Sequence, residues 1–337
     1  MSIERVELKD FTVFADATLD LTNGVNVFIG RNSTGKTHAM KALYALLRAA
    51  ASTDEPFSTS VGHQLREVFK PDDDALWRLG QRRPGQKTFR IRVSSGNKEL
   101  FAQVYSRDGR ITSRVSLNHV PAAVFIPSRE ALAMHDGFAR AYERRELSFD
   151  GTYYNLAREL TTAPLRGIRP GALGEVVAEL QRILGGKLET RGEKFYLVGP
   201  GGARYEAQLM SEGLRKIGSI LRLLQNGEIE VGNVLLWDEP EANLNPSVAV
   251  DVARILAKLA GAGVQIIVAT HDYFVSETLG LLGRSPDAPP TRFFSFIRSK
   301  DGLAVDVAHA DDIDDLAENA IRQESLAHYD RLRGATT

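Results

Sequence analysis

The strongest constraint on the fold is the eight-residue stretch GRNSTGKT, Gly30 to Thr37. It follows the short apolar run VNVFI (25–29) and precedes HAMKALYALLRAA, whose apolar residues recur at helical spacing. Glycines let a backbone curl until successive N–H groups face one point, and a helix starting there adds positive potential. This is the P-loop pattern. Gly30, Arg31, Asn32, Ser33, Thr34, Gly35, Lys36 and Thr37 would cradle phosphates, with Lys36 reaching the β- and γ-phosphates and the Thr37 hydroxyl a ligand for Mg²⁺. Such a unit belongs in an α/β sheet, with the loop at the carboxyl edge of a parallel strand.

A second stretch, VLLWDEPEANLN (234–245), places adjacent carboxylates, Asp238 and Glu239, at the end of a buried strand (233–238), where a proline stops it. Like charges at such a place need something positive opposite, and Lys36 and Mg²⁺ supply it. Asp238 is then the metal ligand and Glu239 the general base that polarises the attacking water. A third apolar strand, VQIIVATH (264–271), ends on His271. A turn and a helix (247–260) separate it from Glu239. Right-handed crossovers make the strands parallel, so all three motifs meet at one edge. His271 is placed to hydrogen-bond the γ-phosphate or the water.

The rest of the chain is ordinary in composition: 337 residues, 43% hydrophobic, 25% charged, net charge −1. No global positive field points to nucleic acid or membrane. No cysteine is present, which excludes disulfides and thiolate metal sites and fits a reducing, cytoplasmic setting. The charged start MSIERVELKDF is unlike a signal peptide, and no apolar run approaches the roughly 18 residues of a membrane span. The pattern predicts strands over 2–29, a helix over 37–51, a loop with a short helix over 52–70, and an antiparallel meander over 88–120. A buried strand follows at 122–130, helices over 130–185, a hairpin at 187–206 and a helix at 213–225. A further helix after 271, terminal strands over 292–308 and an acidic helix over 311–333 complete the chain.

On these motifs the chain resembles the ABC-type ATPases, in the branch shared by RecF, the structural-maintenance-of-chromosomes (SMC) heads and the OLD ATPases. IERVELKDFTVFADATLDLTNGVNVFIGRNSTGKT is similar to that branch's opening, DEPEANLNP (238–246) to its Walker B and D-loop, and LMSEGLRKIGSI (209–220) to its signature helix. The resemblance implies a P-loop ABC-type head with a mixed central sheet, an antiparallel β lobe and a helical lobe. It divides as 1–128 (N-terminal lobe), 129–210 (helical insertion and hairpin), 211–310 (signature, Walker B and histidine core) and 311–337 (acidic helix). It implies ATP and Mg²⁺ as ligands, and Ser211, Glu212 and Gly213 as the signature that binds the γ-phosphate of a partner's ATP. A head-to-tail homodimer around ATP follows. There is no clear glutamine loop. Arg129 and Glu130, in FIPSRE, stand where the lobes meet, as nucleotide sensor or plain ion pair. For an adenine-stacking ring, Phe11 and Phe14 are the weak candidates.

Two functions fit. One is a switch whose ATP-driven dimerisation controls a separate effector, a nuclease or toxin, as in prokaryotic anti-phage systems. The other is a RecF-like DNA clamp in repair, with Arg78, Arg82, Arg83, Lys87 and Arg90, then Arg92, Arg107, Arg110 and Arg114, as the basic surface. No heptads persist for coiled-coil arms, and no nuclease domain is expected. A transporter motor, which needs a membrane partner, fits the signature poorly. DDIDD (311–315) is expected to be a solvated or interaction face.

Overall fold

The computed structural model describes residues 2–81, 88–105, 108–167, 171–192 and 194–334. The chain runs β1 (Arg5–Phe11), β2 (Phe14–Asp20), β3 (Val25–Gly30), α1 (Lys36–Ala51), α2 (Phe57–Phe69), β4 (Thr88–Ser95), β5 (Lys98–Tyr105), β6 (Ile111–Val115), β7 (Ala123–Ile126), α3 (Phe138–Glu143), α4 (Gly151–Thr161) and α5 (Gly171–Leu184). It continues through β8 (Lys187–Arg191), β9 (Lys194–Val198), β10 (Arg204–Glu206), α6 (Glu212–Gln225), β11 (Val234–Asp238), α7 (Pro246–Gly261), β12 (Gln265–Thr270), α8 (Tyr273–Gly283), β13 (Thr291–Arg298), β14 (Val305–Ala310) and α9 (Ala320–Leu332).

The central sheet has the order β14-β13-β3-β12-β11-β7. Strands β13, β3, β12, β11 and β7 pair in parallel, and β14 is an antiparallel edge. Every residue of β3, β7, β11 and β12 is buried, as continuous apolar strands covered on both faces must be. Side chains alternate between two cores. Val27, Ile29, Leu235, Trp237, Ile266 and Val268 meet α5, α6 and α7 on one face. Phe28, Val234, Leu236, Ile267 and Ala269 meet α1 and the antiparallel sheet on the other.

That second sheet, β2-β1-β4-β5-β6, is the predicted meander with β1 and β2 added. Its register sets Val6 opposite Val93 and Leu8 opposite Ile91 on the buried side, and Glu7 opposite Arg92 on the outer side. The hairpin at 187–206 forms as β8, β9 and β10. The fold class is as expected, an α/β P-loop head with a mixed central sheet. The sheets do not follow segments of sequence: β3 and β7 share one sheet with the strands after residue 233.

Two elements differ from expectation. The short helix expected within 52–70 is longer than read, filling residues 57–69 as α2, because Val61, Leu65 and Val68 make a buried stripe in the core shared by α1 and the antiparallel sheet. The acidic stretch 311–333 is not one helix: a short 3₁₀ turn at Ile313–Asp315 precedes α9. Its carboxylates are consumed internally, Asp311 by Arg292 (2.6 Å), Asp312 by Arg284 (2.7 Å) and Asp314 by Arg284 and Arg322.

The helical region is fastened to the P-loop helix by charged contacts. Asp150, the N-cap of α4, accepts from Lys41 on α1 at 2.7 Å. Arg48 on α1 reaches Glu159 on α4 at 3.2 Å. Burial pushes the Glu159 carboxyl up to about 8, against the pull of Arg48. A carboxyl raised in the folded state contributes stability that is full below its unfolded pKa and lost as pH rises through the folded one. The contribution of Glu159 to stability therefore falls between about pH 4.5 and 8. Glu159→Gln should remove one carboxyl's share of that slope, up to about 1.4 kcal/mol per pH unit, read from urea unfolding at stepped pH.

Candidate nucleotide-binding and catalytic site

The loop between β3 and α1 has the shape its glycines allow. Gly35 takes φ 87° and Ser33 takes φ 63°, both left-handed, and Gly35 ends as the N-cap of α1 without a side-chain cap. The first N–H groups of the helix are therefore left for a ligand. Arg31, Asn32 and Ser33 are exposed, while Thr34 is buried and its hydroxyl donates to the Arg31 carbonyl (2.8 Å). A guanidinium from the end of β13, Arg298, donates to the Ser33 carbonyl at 2.6 Å and braces the loop from outside.

Lys36 folds back on the loop, donating to the carbonyls of Gly30 (2.8 Å) and Arg31 (3.1 Å). Burial pushes its ammonium down to about 8, although Asp238, Glu239 and Glu241 draw it up. The Thr37 hydroxyl donates to the Asp238 carboxylate at 2.9 Å. Burial pushes Asp238 up to about 6, with the Thr37 bond opposing. A hydroxyl and a carboxylate in contact beside a phosphate cradle are hard oxygen donors of the kind Mg²⁺ uses alongside substrate phosphates.

Glu239, at φ 48°, turns out of β11 in a left-handed conformation. Its carboxylate meets His271 Nε2 at 3.2 Å. Burial, with Lys36 nearby, holds the imidazole below its ordinary value, so this contact is a hydrogen bond from a neutral ring. The His271 ring also faces the Gly30 backbone. One carboxylate is thus held within reach of the loop where a γ-phosphate would lie. The three motifs converge as the parallel topology requires.

Ser211, Glu212 and Gly213 are elsewhere. Ser211 is exposed and caps α6, accepting from Leu214 N at 3.5 Å. Gly213 lies against the D-loop: a Cβ there would stand 2.4 Å from Leu244 Cδ2. Among the described residues, no hydrogen bond or ion pair joins these three to Gly30–Thr37. Glu130 ion-pairs with Arg215 on α6 at 2.9 Å, and Arg129 is exposed. Phe11 and Phe14 are fully buried, Phe11 meeting Phe69 edge-on and Phe89 at a tilt, so neither is open to an adenine.

Two further residues of the site lie within the quoted stretches but were not singled out there. Glu241 accepts from the His271 backbone N–H at 2.7 Å, and burial pushes its carboxyl up to about 7. Lys216 on α6 is 1% exposed and donates to the Glu239 carbonyl at 3.2 Å. The signal for Lys216 is in the sequence: it falls between Gly213, Ile217 and Ile220 on the arc α6 buries, where an unpaired lysine would be costly.

Three arginines of the candidate DNA face are ion-paired. Arg92 meets Glu7 (2.8 Å) and Glu99 (3.0 Å), Arg114 meets Glu99 (3.1 Å), and Arg78 lies 3.7 Å from Asp72. Arg90 bonds Gln103 and Arg110 covers Tyr105. Arg82, Arg83, Lys87 and Arg107 lie outside the described residues.

A family model described as "AAA domain, putative AbiEii toxin, Type IV TA system" matches residues 25–277. The chain is similar to the DNA replication and repair protein RecF of Acidothermus cellulolyticus, 46% identical over 59 residues, covering 17% of this chain and 16% of that protein. RecF of Oenococcus oeni is 37% identical over 103 residues, 30% of this chain and 26% of that protein. The macrolide export ATP-binding/permease protein MacB of Bordetella avium is 29% identical over 183 residues, 49% of this chain and 25% of that protein. The matches thus span only about a quarter or less of these relatives' lengths. Among solved structures, the SMC head domain of Thermotoga maritima superposes with a TM-score of 0.53 at 15% identity, covering 92% of this chain and 99% of that one. The Smc head of Pyrococcus furiosus bound to the C-terminal domain of ScpA gives 0.56 at 12%, covering 98% and 99%. These neighbours establish the SMC-head fold.

The loop's backbone allows a stringent check. A Cβ at Gly35 would stand 2.5 Å from Val13 Cγ2 and 2.8 Å from Phe14 Cζ, at a φ that L side chains avoid. Gly35→Ala should cost about 2–4 kcal/mol in a denaturant titration, from left-handed strain and overpacking together.

Proposed function

The chain belongs to the AAA-domain family that matches it over residues 25–277, and from that membership we propose an ATP-binding and ATP-hydrolysing switch of the ABC type that closes head-to-tail around ATP and controls a separate effector protein, a nuclease or toxin, in prokaryotic anti-phage defence. The observation that carries the reading is the division of the site. Lys36, Thr37, Asp238, Glu239 and His271 are gathered in one chain, while among the described residues no hydrogen bond or ion pair joins Ser211 or Gly213 to the loop. A half-site of this kind calls for the signature of a second copy. The family's printed description as a toxin of a type IV system supports the defence setting.

In this reading Thr37 and Asp238 would hold Mg²⁺, which supplies charge neutralisation on the phosphates. Lys36 exchanges its bonds to the Gly30 and Arg31 carbonyls for phosphate oxygens. Glu239 accepts the proton of the attacking water, and His271, neutral and fixed through Glu241, holds the carboxylate in place. Ser211 and the Gly213 N–H, at the start of α6, receive the γ-phosphate carried by the partner.

Lys36→Ala should abolish ATP binding in a fluorescent-nucleotide titration; unchanged affinity would overturn the assignment of the loop. Glu239→Gln should bind ATP normally, lose at least about 100-fold in turnover, and run as a dimer by light scattering when ATP is present. Normal phosphate release by this variant would remove Glu239 as the base.

The DNA-clamp alternative draws on the RecF matches, but the ion pairing of Arg78, Arg92 and Arg114 weighs against a described basic face. We expect no salt-sensitive shift of duplex DNA at physiological ionic strength, with or without ATP. A shift lost on Arg82→Glu/Arg83→Glu would reinstate the clamp.

A further inference from the structure

Glu239 is a strained residue with an unusual set of holds. A left-handed non-glycine costs about 1–3 kcal/mol and persists only where its surroundings enforce it, and the following Pro240 restricts its backbone further. Three groups outside its own turn hold it. Its N–H donates to the Ala269 carbonyl on β12 at 2.9 Å, its carboxylate meets His271 at 3.2 Å, and its carbonyl accepts from Lys216 Nζ at 3.2 Å. The carbonyl also closes the turn with Ala242 N at 3.2 Å. The first two holds come from the strand beside it. The third comes from α6, whose N-terminus carries Ser211 and Gly213.

Lys216 is a costly way to make one hydrogen bond. Its ammonium is taken out of water on the buried, mostly apolar side of α6, which also holds Ser219 and Arg222, and a buried cation is retained only when paired or bonded. The carboxylates around it, Glu241, Glu212, Glu239 and Asp238, are those of the site and of the signature. The adjacent residue Arg215 reaches Glu130, beyond the end of β7, and β7 is the parallel neighbour of β11. Two consecutive side chains of one helix therefore tie the outlets of two neighbouring strands. Gly213 packed on Leu244 leaves little slack between the helix start and the D-loop.

We propose that Lys216 is a positioning residue for the hydrolytic step, holding the Glu239 backbone in the conformation that aims its carboxylate at His271, and so coupling the placement of the signature helix to the base. The inference rests on the reading of Glu239 as base. Lys216 touches no nucleotide in this scheme, so its loss changes turnover and leaves ATP affinity alone. A misplacement of the base on the order of 1 Å can cost up to about 100-fold.

The test compares Lys216→Met, which keeps the stem and removes the donor, with Lys216→Arg, which keeps a cationic donor. Steady-state ATPase rates, ATP affinity and melting temperature are measured for each. The expected result is a kcat about 10- to 100-fold lower for Lys216→Met, an ATP Kd within about threefold of the parent's, and substantial recovery of kcat in Lys216→Arg. A folded Lys216→Met with parental kcat overturns the proposal, as does a parallel loss of affinity and kcat. If Lys216→Met does not fold, Lys216→Gln and Lys216→Arg decide: a higher kcat for Arg at equal affinity supports it, and equal rates overturn it. Glu239→Gln separates the two levels. If that variant hydrolyses ATP normally, the reading of the base fails and the coupling falls with it; if only Lys216→Met is silent, the base stands and the coupling alone is lost.

Discussion

The hydrogen bond from the Thr37 hydroxyl to the Asp238 carboxylate, 2.9 Å long between residues 201 apart in sequence, is the contact on which the rest of the architecture depends. It forms only if β3 and β11 are parallel, in register with β12 between them, and end at the same edge. Both strands are fully buried, so that edge receives charges at the mouth of an apolar core. Burial and the neighbouring Glu239 push the Asp238 carboxyl up, and Thr37, Lys41 and Lys36 act in the opposite direction. The two-sided core, with α1 on one face and α6 and α7 on the other, is what presents those groups to one another.

How much of this was legible in the sequence follows from the range of each interaction. The P-loop, the Asp238–Glu239 pair and His271 could be read because each is local: a strand, a chemically distinctive residue and a turn. Their convergence could be read because right-handed crossovers leave one arrangement of parallel strands. Helix α2 was expected only as a short helix in a loop, and its full length depends on packing against α1 and, more distant in sequence, β6 and α4. The acidic stretch is largely exposed as read, but charge density in sequence does not reveal pairing: Arg284, Arg292 and Arg322 come from three separate elements to meet Asp311, Asp312 and Asp314. Phe11 and Phe14 sit in the right neighbourhood for a base, yet their strands turn them inward. Lys216 and Glu241 carried weak signals, one lysine on a buried arc and one extra carboxylate after a proline, which acquire meaning only beside Glu239 and His271.

The molecule's charges also separate structure from chemistry. Across the outer β sheet and the C-terminal segment, arginines and carboxylates are matched locally, as Arg92 is by Glu7 and Glu99 and Arg322 by Glu277. Exposed pairs of this kind contribute little to stability, and each offsets an arginine that could otherwise meet a polyanion. At the carboxyl edge of the central sheet the matching stops. Among the described residues Lys36 has only backbone carbonyls within hydrogen-bonding distance, and Glu239 has a neutral imidazole in place of a cation. A buried ammonium content with carbonyls is a poor ion pair and a ready phosphate ligand, because exchanging neutral acceptors for anionic oxygens strengthens every bond it makes. The same logic applies to the exposed cap Ser211, whose hydroxyl is bonded at 3.5 Å, the long end of the range. Unsatisfied electrostatics thus lie on two surfaces of one chain, a cradle that wants an anion and a helix start that can offer to one. In the proposed head-to-tail pair each would be met by the opposite surface of the second copy, and α6 is the element that would carry that event inward to Glu239.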